Sequence, residues 1–299
     1  VHYQADIEQN LLCNYQYILQ IPLNAVNENK KLESALNMML FQNEVETETE
    51  GAEKFSIRSL NTTYEGSRVE AITLYGVEPD SRYVPLSSAD GTIAASQAYA
   101  DKYDLTPGDT VTLKEAYEDT TYTFTITEIY PYNGALALFM PREDLNRVFD
   151  EDKDSFSGYL SNEEITDIDA EYISSIIDLE ALTKISRQLT LSMGGMMNLV
   201  NGFAIIIFLV IVYLLSKIII EKNGQAISMT KILGYSNREI SRLYIFSTTF
   251  MVLLSILISL PLEVASMKFL FKYMMTEMMT GWISFYLDPM ILVEMVAMG

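Results

Sequence analysis

The sequence contains one cysteine, one histidine and one tryptophan among its 299 residues. A single cysteine, Cys13, excludes an intramolecular disulfide and any metal site built from several thiolates. A single histidine, His2 beside the chain start, argues against a Ser-His-Asp centre, a Cys-His centre or a histidine-rich zinc site. The phosphate-binding run GxxxxGK[ST] is also absent, so the sequence carries no P-loop of its own.

Basic residues are scarce as well, with 20 Lys/Arg against 40 Asp/Glu. The shortage lies in residues 1–190, where 34 Asp/Glu face 13 Lys/Arg, a balance of −21. Residues 191–299 are almost neutral, at +1. An acidic surface repels phosphate backbones, so we expect no nucleic-acid partner. The apolar content of 49% is too high for a disordered chain, even at this charge.

Two long uncharged runs account for the neutral third of the chain: residues 199–215 and residues 243–262. A helix needs roughly 20 apolar residues to cross a bilayer. We therefore predict membrane spans at about 196–220 and 243–262, and a truncated span at 290–299, which contains Glu294. The alternative interpretation is a soluble protein in which two apolar helices are buried.

The charges of the loops predict the orientation of these spans. Residues 216–242 hold five Lys/Arg against two Glu, and such an excess in a short loop marks the cytoplasmic side. Residues 1–190 then lie outside the cytoplasm, as does the loop 263–289. Trp282 and Tyr286 in that outer loop fit an aromatic belt at the membrane interface.

Residues 1–177 are predicted to form an α+β extracytoplasmic domain. Alternation in residues 121–128 places Tyr122, Phe124 and Ile126 on one face and threonines on the other, which is typical of a half-buried strand. Further strands are predicted at residues 11–21, 55–60, 69–77 and 135–140, and helices at residues 30–42, 97–103 and 142–149. The fold class is thus an α+β domain joined through a stalk helix to an α-helical transmembrane domain.

The stalk helix is predicted at residues 178–195, before a transmembrane domain at 196–299. Apolar residues recur there at three- and four-residue steps, close to the period of a coiled-coil seam. The seam residues are Leu179, Leu182, Ile185, Leu189, Met193 and Met196. Gly194 and Gly195 form a predicted weak point before the first span. The alternative is an ordinary surface helix followed by a loop.

Three clusters invite a metal-site interpretation, and each has a simpler one. Asp150 to Asp154 resembles a calcium loop, but Ser155 replaces the required glycine and Ser161 the bidentate glutamate, which favours a solvated acidic loop. Alternating glutamates at 44–50 suggest a charged edge strand more than a cation or cationic-peptide site. Four methionines within 274–279 fit pliable packing or lipid contact better than copper binding. We expect no cofactor and no metal.

The cytoplasmic loop carries the most informative motif, residues 225–240, which read QAISMTKILGYSNREI. This run resembles the loop of FtsX-like and MacB-type ABC transporter permeases, which reads E-I-(A/G)-x-L-K-x-L-G-(A/Y)-(S/T)-x-x-x-I. The matching residues are Ile227, Lys231, Leu233, Gly234, Ser236 and Ile240. Ala226 stands at the usual acidic position and Thr230 at a usual apolar one.

Residue chemistry predicts the shape of the same loop. Gly234 suits the end of one helix, and Ser236 or Asn237 suits the cap of the next. These signals predict a helix–turn–helix elbow at 221–242 that presents Lys231 and Arg238 to the cytoplasm.

The resemblance covers roughly residues 10–299, with further similar motifs at 91–113 and 139–145. It implies a permease subunit without catalytic activity. Its implied partners are a separate cytoplasmic ABC ATP-binding subunit, membrane lipids, and a second permease half or a homodimer. It further implies a span before Val1 and a role in the export or extraction of peptides, lipids or lipoproteins. Two alternatives stay open: a regulator that activates an extracellular cell-wall hydrolase, and a membrane-anchored receptor with no ATPase.

Overall fold

The structure, a computed structural model, describes residues 10–20, 45–63, 69–87, 91–285, 287, 289 and 290. The chain divides into two compact units. Unit 1 comprises Val1–Ile185 and Phe271–Phe285, and unit 2 comprises Ser186–Leu270 and Tyr286–Gly299. The predicted helix at 30–42 and all but the start of the predicted span at 290–299 lie outside the described residues.

Unit 1 is built on a mixed β-sheet. Its strands in the described residues are β1 (Tyr15–Leu19), β2 (Glu53–Thr62), β3 (Ala71–Val77), β4 (Ala94–Ser96), β5 (Thr110–Lys114), β6 (Thr121–Thr125), β7 (Glu128–Tyr130), β8 (Ala137–Pro141), β9 (Gly158–Ser161) and β10 (Ile173–Asp178). Neighbours follow the order β10-β1-β9-β2-β3-β8-β4-β7, and β5 pairs with the end of β2 and with β6. Most pairs are antiparallel, but β3–β8 and β4–β7 are parallel.

Two short helices accompany this sheet: α1 (Gln97–Tyr103) and α2 (Arg142–Val148). Ser96 caps α1, because its hydroxyl accepts a hydrogen bond from the N–H of Tyr99 at 3.2 Å. The threonines of β6 are exposed while Phe124 and Ile126 are buried, as the alternation predicts. The predicted α+β class is confirmed for this unit.

Glycine allows two close approaches within the sheet unit. A Cβ atom on Gly158 in β9 would lie 1.9 Å from the carbonyl oxygen of Tyr17 in β1. A Cβ atom on Gly76 in β3 would lie 2.9 Å from Leu145 Cδ2 of α2. Both positions therefore exclude any larger residue unless the backbone moves.

The acidic segment Asp150 to Asp154 is a loop whose backbone is held by hydrogen bonds from one side chain. Asn146, which is buried, donates from Nδ2 to the carbonyls of Asp152, Lys153 and Ser155 at 3.0, 3.3 and 2.8 Å. Its Oδ1 accepts from the Ser56 hydroxyl at 2.8 Å. Across the described residues, no three His, Cys, Asp or Glu side chains are grouped to hold a metal ion.

The described part of the glutamate run is irregular chain. The predicted edge strand is therefore wrong for residues 46–49, and Glu44 lies outside the described residues. Glu46 pairs with Lys54 at 2.5 Å, and the N–H of Glu48 donates to Asp167 at 2.7 Å. Hydrogen bonds to Asp167, in place of a strand partner, fix the backbone here.

Two long helices follow the sheet. Helix α3 (Leu179–Ile232) begins directly after β10 and is helical through Gly194 and Gly195, and helix α4 (Asn237–Glu277) contains Pro261. By chain connectivity, α3 leads from unit 1 into unit 2, and α4 leads back to unit 1. Among the residues described, no helix has the length and apolar character needed to cross a membrane.

Candidate functional site

The elbow is the turn between α3 and α4, and it begins where two backbone hydrogen bonds cap the C-terminus of α3. The N–H of Tyr235 donates to the carbonyl of Thr230 at 3.4 Å, and the N–H of Gly234 donates to that of Lys231 at 3.1 Å. Gly234 has a φ of +88°, the left-handed conformation that this pattern requires. A residue with a Cβ would strain the turn, which explains the glycine.

The first turn of α4 is held by a reciprocal cap. The hydroxyl and N–H of Ser236 donate to Glu239 Oε2 at 2.8 and 3.0 Å, and the N–H of Glu239 donates to Ser236 Oγ at 3.3 Å. This is a capping box, S-x-x-E. The hydrogen bonds from the Ser236 hydroxyl and N–H hold the pKa of Glu239 below its ordinary value.

The surface of the elbow combines positive charge with exposed apolar side chains. Lys231 and Arg238 are exposed on either side of the turn. Ile232 and Leu233 expose 84% and 76% of their surface, and Met229 and Tyr235 are also exposed. Such a cluster at a rigid turn is typical of a protein-binding surface.

The structure places five of the predicted elbow residues, Lys231, Leu233, Gly234, Ser236 and Arg238, within one helix–turn–helix. Ile227 and Ile240 lie in α3 and α4, but their side chains are outside the described part of the structure. The stalk residues Leu182, Ile185, Leu189, Gly194 and Gly195 lie in α3, again without described side chains. The seam interpretation of the stalk therefore stays a prediction.

A second polar arrangement, which the sequence did not indicate, lies in unit 1. We call residues 271–285, the end of α4 and the loop after it, the strap. Lys102 of α1 is buried, and its Nζ lies 2.5 Å from Glu70 Oε1. The same nitrogen donates to the carbonyls of Met279 and Gly281 in the strap, both at 2.9 Å.

Side chains of the strap contribute further contacts. Lys272 pairs with Asp104 at 2.5 Å, and Met275 is buried. Trp282, which the sequence suggests for an interfacial aromatic belt, packs instead against the apolar core of the sheet unit. The backbone oxygens that bind Lys102 carry no sequence signal, so only the three-dimensional structure reveals them.

Comparison with known families agrees with the elbow motif. Residues 198–298 match the family model described as FtsX-like permease C-terminal. This stretch contains the elbow and most of both long helices. The resemblance to FtsX-like ABC transporter permeases that the sequence indicates is confirmed.

Two of the solved structures that are similar to this chain are extracytoplasmic regions. One is the extracellular domain of the noncanonic ABC-type transporter YknZ from Gram-positive bacteria, at 13% identity and a TM-score of 0.28, covering 49% of this chain and 80% of that one. The other is the periplasmic region of MacB from Actinobacillus actinomycetemcomitans, at 9% identity and a TM-score of 0.30, covering 62% of this chain and 98% of that one. No curated protein matches the chain.

Proposed function

We propose that the protein is the permease subunit of an ABC transporter complex, and that its elbow binds a separate cytoplasmic ATP-binding subunit. The observation that carries this proposal is the match of residues 198–298 to the FtsX-like permease C-terminal model. The elbow, with its exposed basic and apolar side chains, lies inside that stretch. ATP hydrolysis is assigned to the partner, and this chain supplies no nucleotide site in the proposal.

The elbow is suited to receive a mechanical input. The C-terminal cap of α3 and the capping box of α4 fix the backbone on both sides of the turn, because each satisfies the end groups of its own helix. A push on Leu233 or Lys231 would therefore move α3 and α4 together and would not be absorbed by the turn. Such rigidity is what a coupling element needs.

Membrane spans at 196–220 and 243–262 are part of the proposal, as is an extracytoplasmic location for residues 1–190. Their support is the two uncharged runs of sequence and the excess of Lys/Arg in the loop between them. Reporter fusions test the topology: a cytoplasmic reporter after residue 236 should be active, and one after residue 118 should be inactive. The reverse pattern would contradict the proposed orientation.

Motion transmission completes the proposed mechanism. Helix α3 continues without interruption from the strand β10, so a displacement at the elbow end is carried along its backbone to the sheet unit. Movement of that unit would then act on an extracytoplasmic client, by export or extraction of peptides, lipids or lipoproteins. The client class rests on the family resemblance alone.

The decisive experiment is association with an ABC ATP-binding subunit of the same organism, sought first in the neighbouring reading frames. Lys231→Ala with Leu233→Ala should weaken association and stimulated ATP hydrolysis by about tenfold or more, as expected for central interface residues. Lys268→Ala with Leu270→Ala is the matched control, because this pair has the same spacing and is exposed on α4, outside the elbow. Equal behaviour of the two variants would contradict the proposed docking site.

A pull-down with the full chain distinguishes the function outside the cell. Capture of a cell-wall hydrolase through the sheet unit would favour the regulatory alternative over export. Failure to associate with any ATP-binding subunit would favour the receptor alternative, and the permease proposal would then be wrong.

A further inference from the structure

The strap is fixed to the sheet unit by a buried lysine that has no role in the proposed docking site. The side chains of Lys102 and Glu70 are 0% and 2% exposed. An ammonium group has three N–H donors, and here one faces Glu70 while two face strap carbonyls. The strap thus supplies two of the three hydrogen bonds that make burial of this charge tolerable.

The geometry of the strap is shaped for this contact. Its helix ends where the N–H groups of Met278 and Met279 both donate to the carbonyl of Met274, at 2.9 and 3.2 Å. Gly281 then takes a φ of +77°, which turns the chain beneath Lys102. The rings of Phe271 and Phe285, at the two ends of the strap, lie 5.3 Å apart between centroids.

The contact between Lys102 and the strap selects two particular carbonyls, but burial of its polar groups costs free energy. The Glu70 carboxylate also accepts from the Tyr103 hydroxyl at 3.3 Å, so both of its oxygens are engaged. Among the residues described, Trp282 Nε1 and Thr276 Oγ1 are buried without a hydrogen-bond partner. Lifting the strap would return these two groups and the Lys102 ammonium to water. Hydration of these groups in the open state offsets part of the cost of opening, which makes the contact reversible.

We propose that Lys102 and Glu70 form a reversible latch that ties the end of α4 to the sheet unit, and that Lys102 is a positioning residue for motion transmission. The proposal rests on the proposed function for its role, but the latch itself is independent of it. Two segments of the chain connect the elbow to the sheet unit. Helix α3 is joined directly to β10, and α4 leads to the strap, which the latch holds. An input at the elbow is thereby applied at two points of the sheet unit.

The latch is tested by hydrogen exchange of the full chain in detergent. Glu70→Leu with Lys102→Leu removes both buried charges and leaves the strap carbonyls without their donor. We expect amides of the strap to exchange about tenfold faster or more, with β3 and α1 unchanged. Lys114→Met is the control, because Lys114 pairs with Asp119 on the β5–β6 hairpin and does not touch the strap. Unchanged strap exchange in the double variant would overturn the latch.

A second variant keeps the test valid if the double Leu variant fails to fold. Gly281→Val disturbs the strap from its own side, because valine is strained at a φ of +77°, and leaves Lys102 and Glu70 in place. It should accelerate exchange in the strap alone. If Gly281→Val accelerates strap exchange and the double Leu variant does not, the strap opens but is not held by Lys102 and Glu70, and the latch is excluded.

The role in transmission is tested in the complex with the ATP-binding subunit. Strap exchange should differ between nucleotide-free and ATP-bound complexes of the wild type, and this difference should vanish in the double Leu variant while subunit association is retained. Identical exchange in both states of an active wild-type complex would overturn the role. Absence of any complex would instead refute the proposed function, and the exchange test on the chain alone would still judge the latch.

Discussion

Gly158 stands at the tightest approach of two strands in the sheet unit. Gly158→Ala should lower the free energy of unfolding by about 3 kcal/mol, because its Cβ would overlap the Tyr17 carbonyl. Unfolding in urea can be followed by fluorescence of Trp282, the only tryptophan of the chain. Gly108→Ala is the control: its φ is +104° but its Cβ would meet open space, so we expect a loss of about 1 kcal/mol. Equal losses would mean that the strand contact is not limiting.

Cys13 offers a pH-dependent test of burial. Desolvation raises the pKa of this thiol to about 11, from an ordinary value of 9.0. At pH 8 the folded protein should react with a maleimide roughly a hundredfold more slowly than the urea-unfolded protein, because the thiolate is the reactive form. Between pH 9 and 11 the folded rate should keep rising while the unfolded rate levels off. A folded rate that levels off at pH 9 would contradict the raised pKa.

For single residues, sequence patterns predict the environment of a side chain whose neighbours are close in the sequence. Tyr122 and Phe124 follow the predicted alternation. The partners of Lys102 are out of reach of such patterns, because Met279 and Gly281 offer only backbone carbonyls and lie 177 and 179 positions away.

The capping box at the start of α4 is an element-scale device. Ser236→Ala removes the hydroxyl that both accepts from and donates to Glu239, so amides of the first turn should exchange about fivefold faster, equivalent to about 1 kcal/mol. Ser255→Ala is the control, since its hydroxyl donates to the carbonyl of Met251 within the helix. Exchange should be followed by mass spectrometry over residues 237–242.

The stability that this capping box contributes depends on pH in a defined direction. Glu239 has a lowered pKa, so its contribution is complete above the ordinary value of 4.5 and is lost as the pH falls through the lowered one. The difference between Ser236→Ala and wild type should therefore shrink in acid. A difference that is constant with pH would assign the effect to the serine hydroxyl alone.

Elements were predictable where a local signal defines them, and their arrangement was not. Helix α1 has the predicted bounds, β3 lies within a predicted strand, and β8 extends one residue past its predicted strand. Their parallel pairing, and the insertion of β9 between β1 and β2, join segments more than 50 residues apart. Nothing in a strand's own alternation specifies which distant strand it pairs with.

The charge of the whole molecule predicts a response to salt. Residues 1–190 carry a balance of −21, so mutual repulsion should destabilise the sheet unit. Raising NaCl from ~0.1 to ~1 M shortens the screening length from ~10 to ~3 Å, and the melting temperature followed by Trp282 fluorescence should rise by several degrees. The variant with Glu46→Gln, Glu48→Gln and Glu50→Gln should show a smaller rise. A fall with salt would mean that ion pairs such as Arg142–Glu78 outweigh the repulsion.

Among the described strands of the sheet unit, the first and the last lie side by side, and their register sets Tyr15 opposite Asp178. The chain therefore enters β1 and leaves β10 at the same end of one ladder. A force that pulls Asp178 away from Tyr15 would open this ladder like a zipper, one residue pair after another, and would never load all its hydrogen bonds at once. Strands loaded in this way yield at low force. As a mechanical component, the junction between β10 and α3 is therefore expected to open early when it is pulled.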